Sequence, residues 1–226
     1  MVRSGQSGFV FKLDYEKAYD MVDRSFLLKM MAGRGFSPHF LKLVKSLLDN
    51  GSVGVRINDV SSDFFISGRG VRQGDPSSPI LFNPVADVFT KMLIKAANND
   101  LISSLLHGFE RSGVIILHYA YDTLLFLQND RSGALNLKWL LSCFEQMSGL
   151  RINFHKCDLV PINVPEEGAQ VFAHILSCKF REFPLQYLGV PLHHTRLRRE
   201  DLQPLVDKLI EKAAGWRGRR IGRAHV

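Results

Sequence analysis

Residues 117–126 read LHYAYDTLLF. Strand-type residues stand on either side of Tyr119-Ala120-Tyr121-Asp122, which predicts a strand, a tight turn and a second strand. The turn closes on a carboxylate, Asp122. A lone acid at a strand end is ordinarily a solvated cap. It gains meaning only if other parts of the chain bring further acids to it, because hard divalent cations want several anionic oxygens.

Working outward, residues 9–14 (FVFKLD) predict a short buried strand that also ends on an acid, Asp14, inside the string KLDYEKAYD at 12–20. A second string, RGVRQGDPSSP at 69–79, is rich in glycine and proline and predicts a turn into a long helix over about 78–98, with Ser77 or Ser78 as its N-cap. Asp14 and Asp122 are far apart in sequence. Carboxylates on neighbouring strand ends would suit a divalent metal site of the kind that serves phosphoryl transfer.

The remaining segments alternate in type. From Ser25 to Leu48 apolar residues recur at helical spacing, and Gly33, Gly35 and Pro38 divide the run into two helices. Val53, Val55 and Ile57, followed by Phe64–Ile66 across a turn, predict a hairpin. Further on come a helix at 133–148, short strands at 150–154 and 157–162, and a weakly amphipathic stretch at 166–178. A strand pair around Tyr187–Val190 and a helix at 200–214 follow, running into a basic end from Trp216 to Arg223. Strands interspersed with helices predict an α+β fold, an antiparallel sheet with helices packed on one face.

The 226 residues carry a net charge of +7, which favours polyanionic partners, nucleic acid above all. Cys143, Cys157 and Cys178 are odd in number and widely spaced, so they fit neither a disulfide framework nor a zinc site and read as reduced thiols. His193-His194 reads as a polar strand end. No secretory leader is visible, and no apolar run approaches the ~20 residues of a membrane helix. A reducing interior, cytoplasmic or nuclear, is expected.

The three strings, with Asp14, Tyr19, Gln73-Gly74 and the YAYD turn in this order, resemble the palm of reverse transcriptases, and in particular those of plant LINE-type (non-LTR) retrotransposons. The resemblance covers about 9–216. It implies RNA-directed DNA polymerisation from an RNA template and DNA primer with deoxynucleoside triphosphates and two Mg²⁺ ions. It implies a palm-like domain over 9–195 and a truncated start of the thumb, with a basic tail, over 196–226. Asp14 and Asp122 correspond to metal-binding aspartates. Tyr19 corresponds to the aromatic under the incoming sugar, with a core aromatic as the alternative. Gln73 and Gly74 correspond to the segment packing on nucleotide and template, and Arg72, with Arg69, would face phosphates. Lys156, after GLRINFH, resembles the lysine that protonates the leaving pyrophosphate. Tyr187, Leu188 and Gly189 resemble the primer grip.

The chain also departs from that pattern. The turn should read Tyr-Ala-Asp-Asp, and Tyr121 stands in place of the first aspartate. A phenol is neutral near pH 7 and offers one weak oxygen where a carboxylate offers two charged ones. Arg24 replaces an aromatic, and Pro84 falls inside the helix after RQGDPSSP at a cost of roughly 3 kcal/mol unless the helix kinks. The family's fingers precede the first aspartate, where this chain has thirteen residues, so they are expected to be missing. The expectation is a catalytically impaired polymerase fragment. The alternatives are a retained nucleic-acid-binding module, a translated pseudogene, or an active enzyme that tolerates Tyr121.

Overall fold

Phe9, Phe11 and Leu13 are wholly buried, and so are Leu125, Leu127 and Leu159 on the two strands beside them. These residues form one face of a sheet, and the helices pack on it. A computed structural model describes residues 5–72, 74–106 and 115–217. Gln73 and the basic tail beyond Arg217 lie outside the described residues. The chain divides into two compact units, one ending at Arg181 and the other beginning at Glu182.

In chain order the first unit contains β1 (Gly8–Leu13), α1 (Ala18–Met21), α2 (Arg24–Gly33) and α3 (Pro38–Asp49). Four short strands follow, β2 (Ser52–Val53), β3 (Arg56–Ile57), β4 (Val60–Ser61) and β5 (Phe65–Ile66). Then come α4 (Ser78–Asn98), β6 (Ile116–Tyr119), β7 (Asp122–Gln128), α5 (Arg131–Ser148), β8 (Asp158–Ile162), α6 (Glu166–Leu176) and β9 (Lys179–Phe180). The second unit holds β10 (Leu185–Tyr187), β11 (Val190–Leu192) and α7 (Arg199–Arg217).

Local chemistry sets the helix starts. The Asp23 carboxylate accepts from Phe26 N at 2.7 Å, the Ser37 hydroxyl from Phe40 N at 3.2 Å, and the Asp130 carboxylate from Gly133 N at 2.7 Å. Neither serine caps α4 through its side chain. Ser77 Oγ donates instead to Asp75 at 2.6 Å, and Ser78 Oγ donates to the Arg72 carbonyl. Pro84 sits inside α4 without ending it, and its ring is buried in the core. The expected strand at 150–154 reduces to one bridge, Ile152 to Tyr15.

The five-stranded sheet runs β6-β7-β1-β8-β9, antiparallel except for the parallel β8–β9 pair. Its helix-covered face is tied down by aromatic contacts. Phe9 stacks on Phe172 of α6 at 4.1 Å, and Phe89 of α4 meets Phe144 of α5 at 4.8 Å. Each such fully buried side chain contributes about 1.5–3 kcal/mol. By strand alternation the opposite face carries Lys12, Asp122 and Asp158. The α+β expectation, with helices on one face of a largely antiparallel sheet, matches this arrangement. No helix among the described residues is long and apolar enough to cross a membrane.

Candidate active site

Leu13 pairs with Thr123, so the next step along both strands sets Asp14 beside Asp122. The two carboxylates feel each other. Burial pushes the Asp14 carboxyl above its usual range and the charge of Asp122 adds to this, while Lys156 and Lys12 pull it back. The chain folds this way because Tyr119 pairs with Asp122, leaving Ala120-Tyr121 as a two-residue turn. Ala120 takes a φ of 53°, the left-handed start that primed hairpin turns need.

Tyr121 sits at that bend, 46% exposed. Its ring meets Tyr19 edge-on at 5.9 Å, and Tyr19 in turn tilts against Phe82 at 5.2 Å. Tyr19 therefore touches the hairpin bend through the Tyr121 ring, a contact that an aspartate at 121 would not make. Lys156 also arrives, carried by a loop that clasps the end of β1. Asn153 N donates to Asp14 O at 2.8 Å, Glu16 N donates to Arg151 O at 2.8 Å, and Asp14 N donates to the Cys157 sulfur at 3.4 Å. Cys157 is buried, and its thiol is pushed up to about 12, chiefly by burial.

Beneath the hairpin lies a polar group that sequence reading missed. Thr123 is fully buried, its Oγ1 lies 2.7 Å from His118 Nδ1, and the Tyr15 hydroxyl also bonds it. Burial holds the His118 imidazole below its ordinary value, so it stays neutral. Only the alternation that turns His118 and Thr123 inward could have signalled this.

The RGVRQGDPSS segment borders a cleft of about 930 Å³, lined among others by Asp20, Arg69, Arg72, Gly74 and Asp75. The carboxylate pair does not line it. Arg72 donates to Ser52 O at 3.2 Å. Asp75 accepts the N–H and hydroxyl of Ser77, bonds that hold its carboxyl below the usual range. Arg24, a departure in the sequence, has a clear role here. Its guanidinium donates to the carbonyls of Ser67 at 2.5 Å, Gly70 at 2.9 Å and Arg69 at 3.3 Å. Together with Gly70 N to Val22 O at 2.8 Å and Val71 N to Tyr19 O at 2.7 Å, it fastens this segment against Tyr19 and α2.

Tyr187, Leu188 and Gly189 belong to the second unit. Leu188 (φ 51°) and Gly189 (φ 79°) form the turn between β10 and β11. Among the described residues no group of three His, Cys, Asp or Glu stands close enough to hold a metal ion.

A sequence model described as reverse transcriptase (RNA-dependent DNA polymerase) matches residues 1–192. The chain belongs to the reverse transcriptase family. It is 28% identical over 218 residues to the Pol polyprotein of the type-2 retrotransposable element R2DM of Drosophila melanogaster, covering 90% of this chain and 20% of that protein. It is 30% identical over 157 residues to a transposon TX1 149 kDa protein of Xenopus laevis, covering 68% and 11%. The chain thus spans about a fifth or less of these relatives. Among solved structures, a Candida tropicalis telomerase superposes with a TM-score of 0.56 at 13% identity, over 72% of this chain and 28% of that one. That likeness shows the fold alone.

In this reverse transcriptase chain the carboxylate pair should carry a measurable strain. A carboxyl whose folded pKa is raised binds its proton more tightly when folded, so ionising it disfavours the folded state. Asp14→Asn should therefore raise the melting temperature at pH 7 by roughly 1–3 °C. The gain should fade as the pH falls and Asp14 itself becomes neutral. Thermal melts of both proteins from pH 3 to 8 check the sign.

Proposed function

We propose that the chain is the palm-like segment, residues 9–195, of a plant LINE-type (non-LTR) retrotransposon reverse transcriptase, with the start of a thumb over 196–226, and that it does not extend primers. The family's fingers would then lie outside these 226 residues. The observation that carries the proposal is Tyr121. It occupies the bend beside Asp14 and Asp122, edge-on to Tyr19, where the family pattern has an acid.

Two carboxylates and a phenol do not fit a pair of Mg²⁺ ions. Asp14 and Asp122 would hold at most one such ion, weakly. Tyr19, Gln73, Gly74, Arg72 and Lys156 would still face a deoxynucleoside triphosphate, and Tyr187, Leu188 and Gly189 a primer end. By ancestry the substrates are an RNA template and a DNA primer, in the cytoplasm or nucleus. Primer extension on an RNA template with Mg²⁺ or Mn²⁺, comparing the chain with Asp14→Ala, tests this. Both should stay at background. Incorporation that Asp14→Ala abolishes would overturn the inactivity.

A second reading, a non-catalytic nucleic-acid-binding module, is favoured by the net charge of +7 and the Arg196–Arg199 run. It expects binding to an RNA–DNA hybrid that weakens steeply between about 50 and 200 mM salt. Titration by fluorescence anisotropy measures the slope, and flat or undetectable binding rejects this reading.

A further inference from the structure

The register of the small β10–β11 hairpin gathers aromatic rings at its open end. Leu185 pairs with Leu192, so two steps outward along each strand bring Phe183 opposite His194. Three rings touch there. His193 and His194 stack with centroids 4.7 Å apart and an interplanar angle of 20°, and Phe183 tilts against them at 5.3 and 5.0 Å. Thr195 holds the stack in place. Its N–H donates to His193 Nδ1 at 3.1 Å, and its hydroxyl lies 2.7 Å from the same nitrogen. Phe183 and His193 are half-buried, whereas His194 is exposed. The turn at Leu188-Gly189 is at the other end of the hairpin, about 10 Å from the Leu185–Leu192 pair.

Cations follow the rings directly. Residues 193–198 read HHTRLR, with two arginines and no acid. Arg196 and Arg198 are exposed, and neither forms an ion pair among the described residues. The acids Glu200 and Asp201 come only in the first turn of α7. Asp201 reaches back to accept the Arg198 N–H at 2.7 Å, so its carboxylate serves the helix start. Ring faces attract bases whatever their sequence, and guanidiniums attract phosphates. A duplex keeps its bases stacked inside and offers this surface phosphates alone. An acidic peptide would engage the arginines and leave the rings idle.

We infer that the Phe183–His193–His194 stack, with Arg196 and Arg198, is a docking site for an unpaired stretch of nucleic acid. One base stacks on the exposed His194 ring, and the flanking phosphates meet the two guanidiniums. Because Thr195 and Phe183 already hold the rings, little ordering is left to be done on binding. The inference rests on the nucleic-acid-binding reading above and adds to it a place and a form of ligand, a single strand rather than a duplex.

Fluorescence anisotropy of the full chain tests this, with a labelled uridine strand of about twelve nucleotides and, in parallel, a blunt RNA–DNA hybrid of that length. The parent is compared with His194→Ala and His194→Phe. Position 194 is on the surface, so both variants should keep the circular dichroism of the parent. His194→Ala should weaken strand binding about tenfold and hybrid binding less than about twofold, and His194→Phe, which keeps a flat ring, should restore the parent's affinity. Without any substitution, the ring-proton resonances of His193 and His194 should move upfield as the strand is added and stay in place with the hybrid. Equal strand affinity in parent and His194→Ala overturns the inference. So does a loss that His194→Phe does not restore, a loss of equal size on the hybrid, or displacement of the strand by polyglutamate as readily as by unlabelled strand. Hybrid binding without strand binding overturns it and leaves the broader nucleic-acid-binding reading standing, whereas binding to neither overturns both.

Discussion

Tyr121→Asp should tighten Mn²⁺ binding roughly a hundredfold. A third carboxylate at the hairpin bend would join Asp14 and Asp122 at one end of the sheet. Two unit charges about 4 Å apart are worth around 4 kcal/mol at an effective dielectric of 20 and a divalent ion doubles this, while exposure of the bend and the cost of desolvating the new carboxylate reduce the net gain to about 2–3 kcal/mol. The same change should weaken the metal-free protein. It removes the edge contact with Tyr19, worth about 0.5–1.5 kcal/mol, and adds a like charge beside two others. Melting should therefore fall by roughly 3–6 °C without metal and recover as Mn²⁺ is added. Calorimetric titration and paired melts read both effects. Equal Mn²⁺ affinity in parent and variant would mean that residue 121 does not face the carboxylates. Adding Asp14→Asn to the variant should remove most of the gain, which separates a shared site from a new one elsewhere.

Gly70→Ala should cost about 2–4 kcal/mol, a large part of the 5–15 kcal/mol that holds most domains together. Gly70 has a φ of 80°, and a Cβ there would stand 2.5 Å from the backbone oxygen of Asp20. Backbone cannot swing aside as a long side chain can. Relief would need the 67–72 segment to lift from α1, breaking Gly70 N to Val22 O and Val71 N to Tyr19 O. Gly74→Ala is the matched control. Its φ of 89° carries the same conformational penalty, but no atom lies within 4 Å, so about 1 kcal/mol is expected. Urea denaturation of the three proteins should rank them parent, Gly74→Ala, Gly70→Ala. Equal costs at the two positions would show that the close approach to Asp20 does not hold in solution.

Much of this arrangement is legible in the chain. The YAYD turn, the strand before Asp14 and the helix after RQGDPSSP each follow from local pattern, and each lies where its residues predict. Arg24 is the instructive counter-example. Read along the chain it is a misplaced cation. In the fold it ties three carbonyls of the Ser67–Gly70 turn, over forty residues away. Thr123 is similar. Strand alternation hints that its hydroxyl meets His118 across the hairpin, but nothing local reveals that Tyr15, more than a hundred residues away, shares it. The nearby acids mislead in the opposite direction. Asp75 sits among motif residues, yet its carboxylate is engaged by Ser77.

By itself, the order of residues determined the family, the alternation of strands and helices, and the identity of the odd residue at 121. These depend on short-range spacing, because side-chain period and turn chemistry act over a few residues. Only the tertiary structure decided which charged groups meet. Asp14, Asp122 and Lys156 converge because β1 pairs with β7 in one register and with β8 in another, and the 153–157 loop closes over the end of β1. A slip of one residue in either pairing would turn every side chain to the other face and disperse the site.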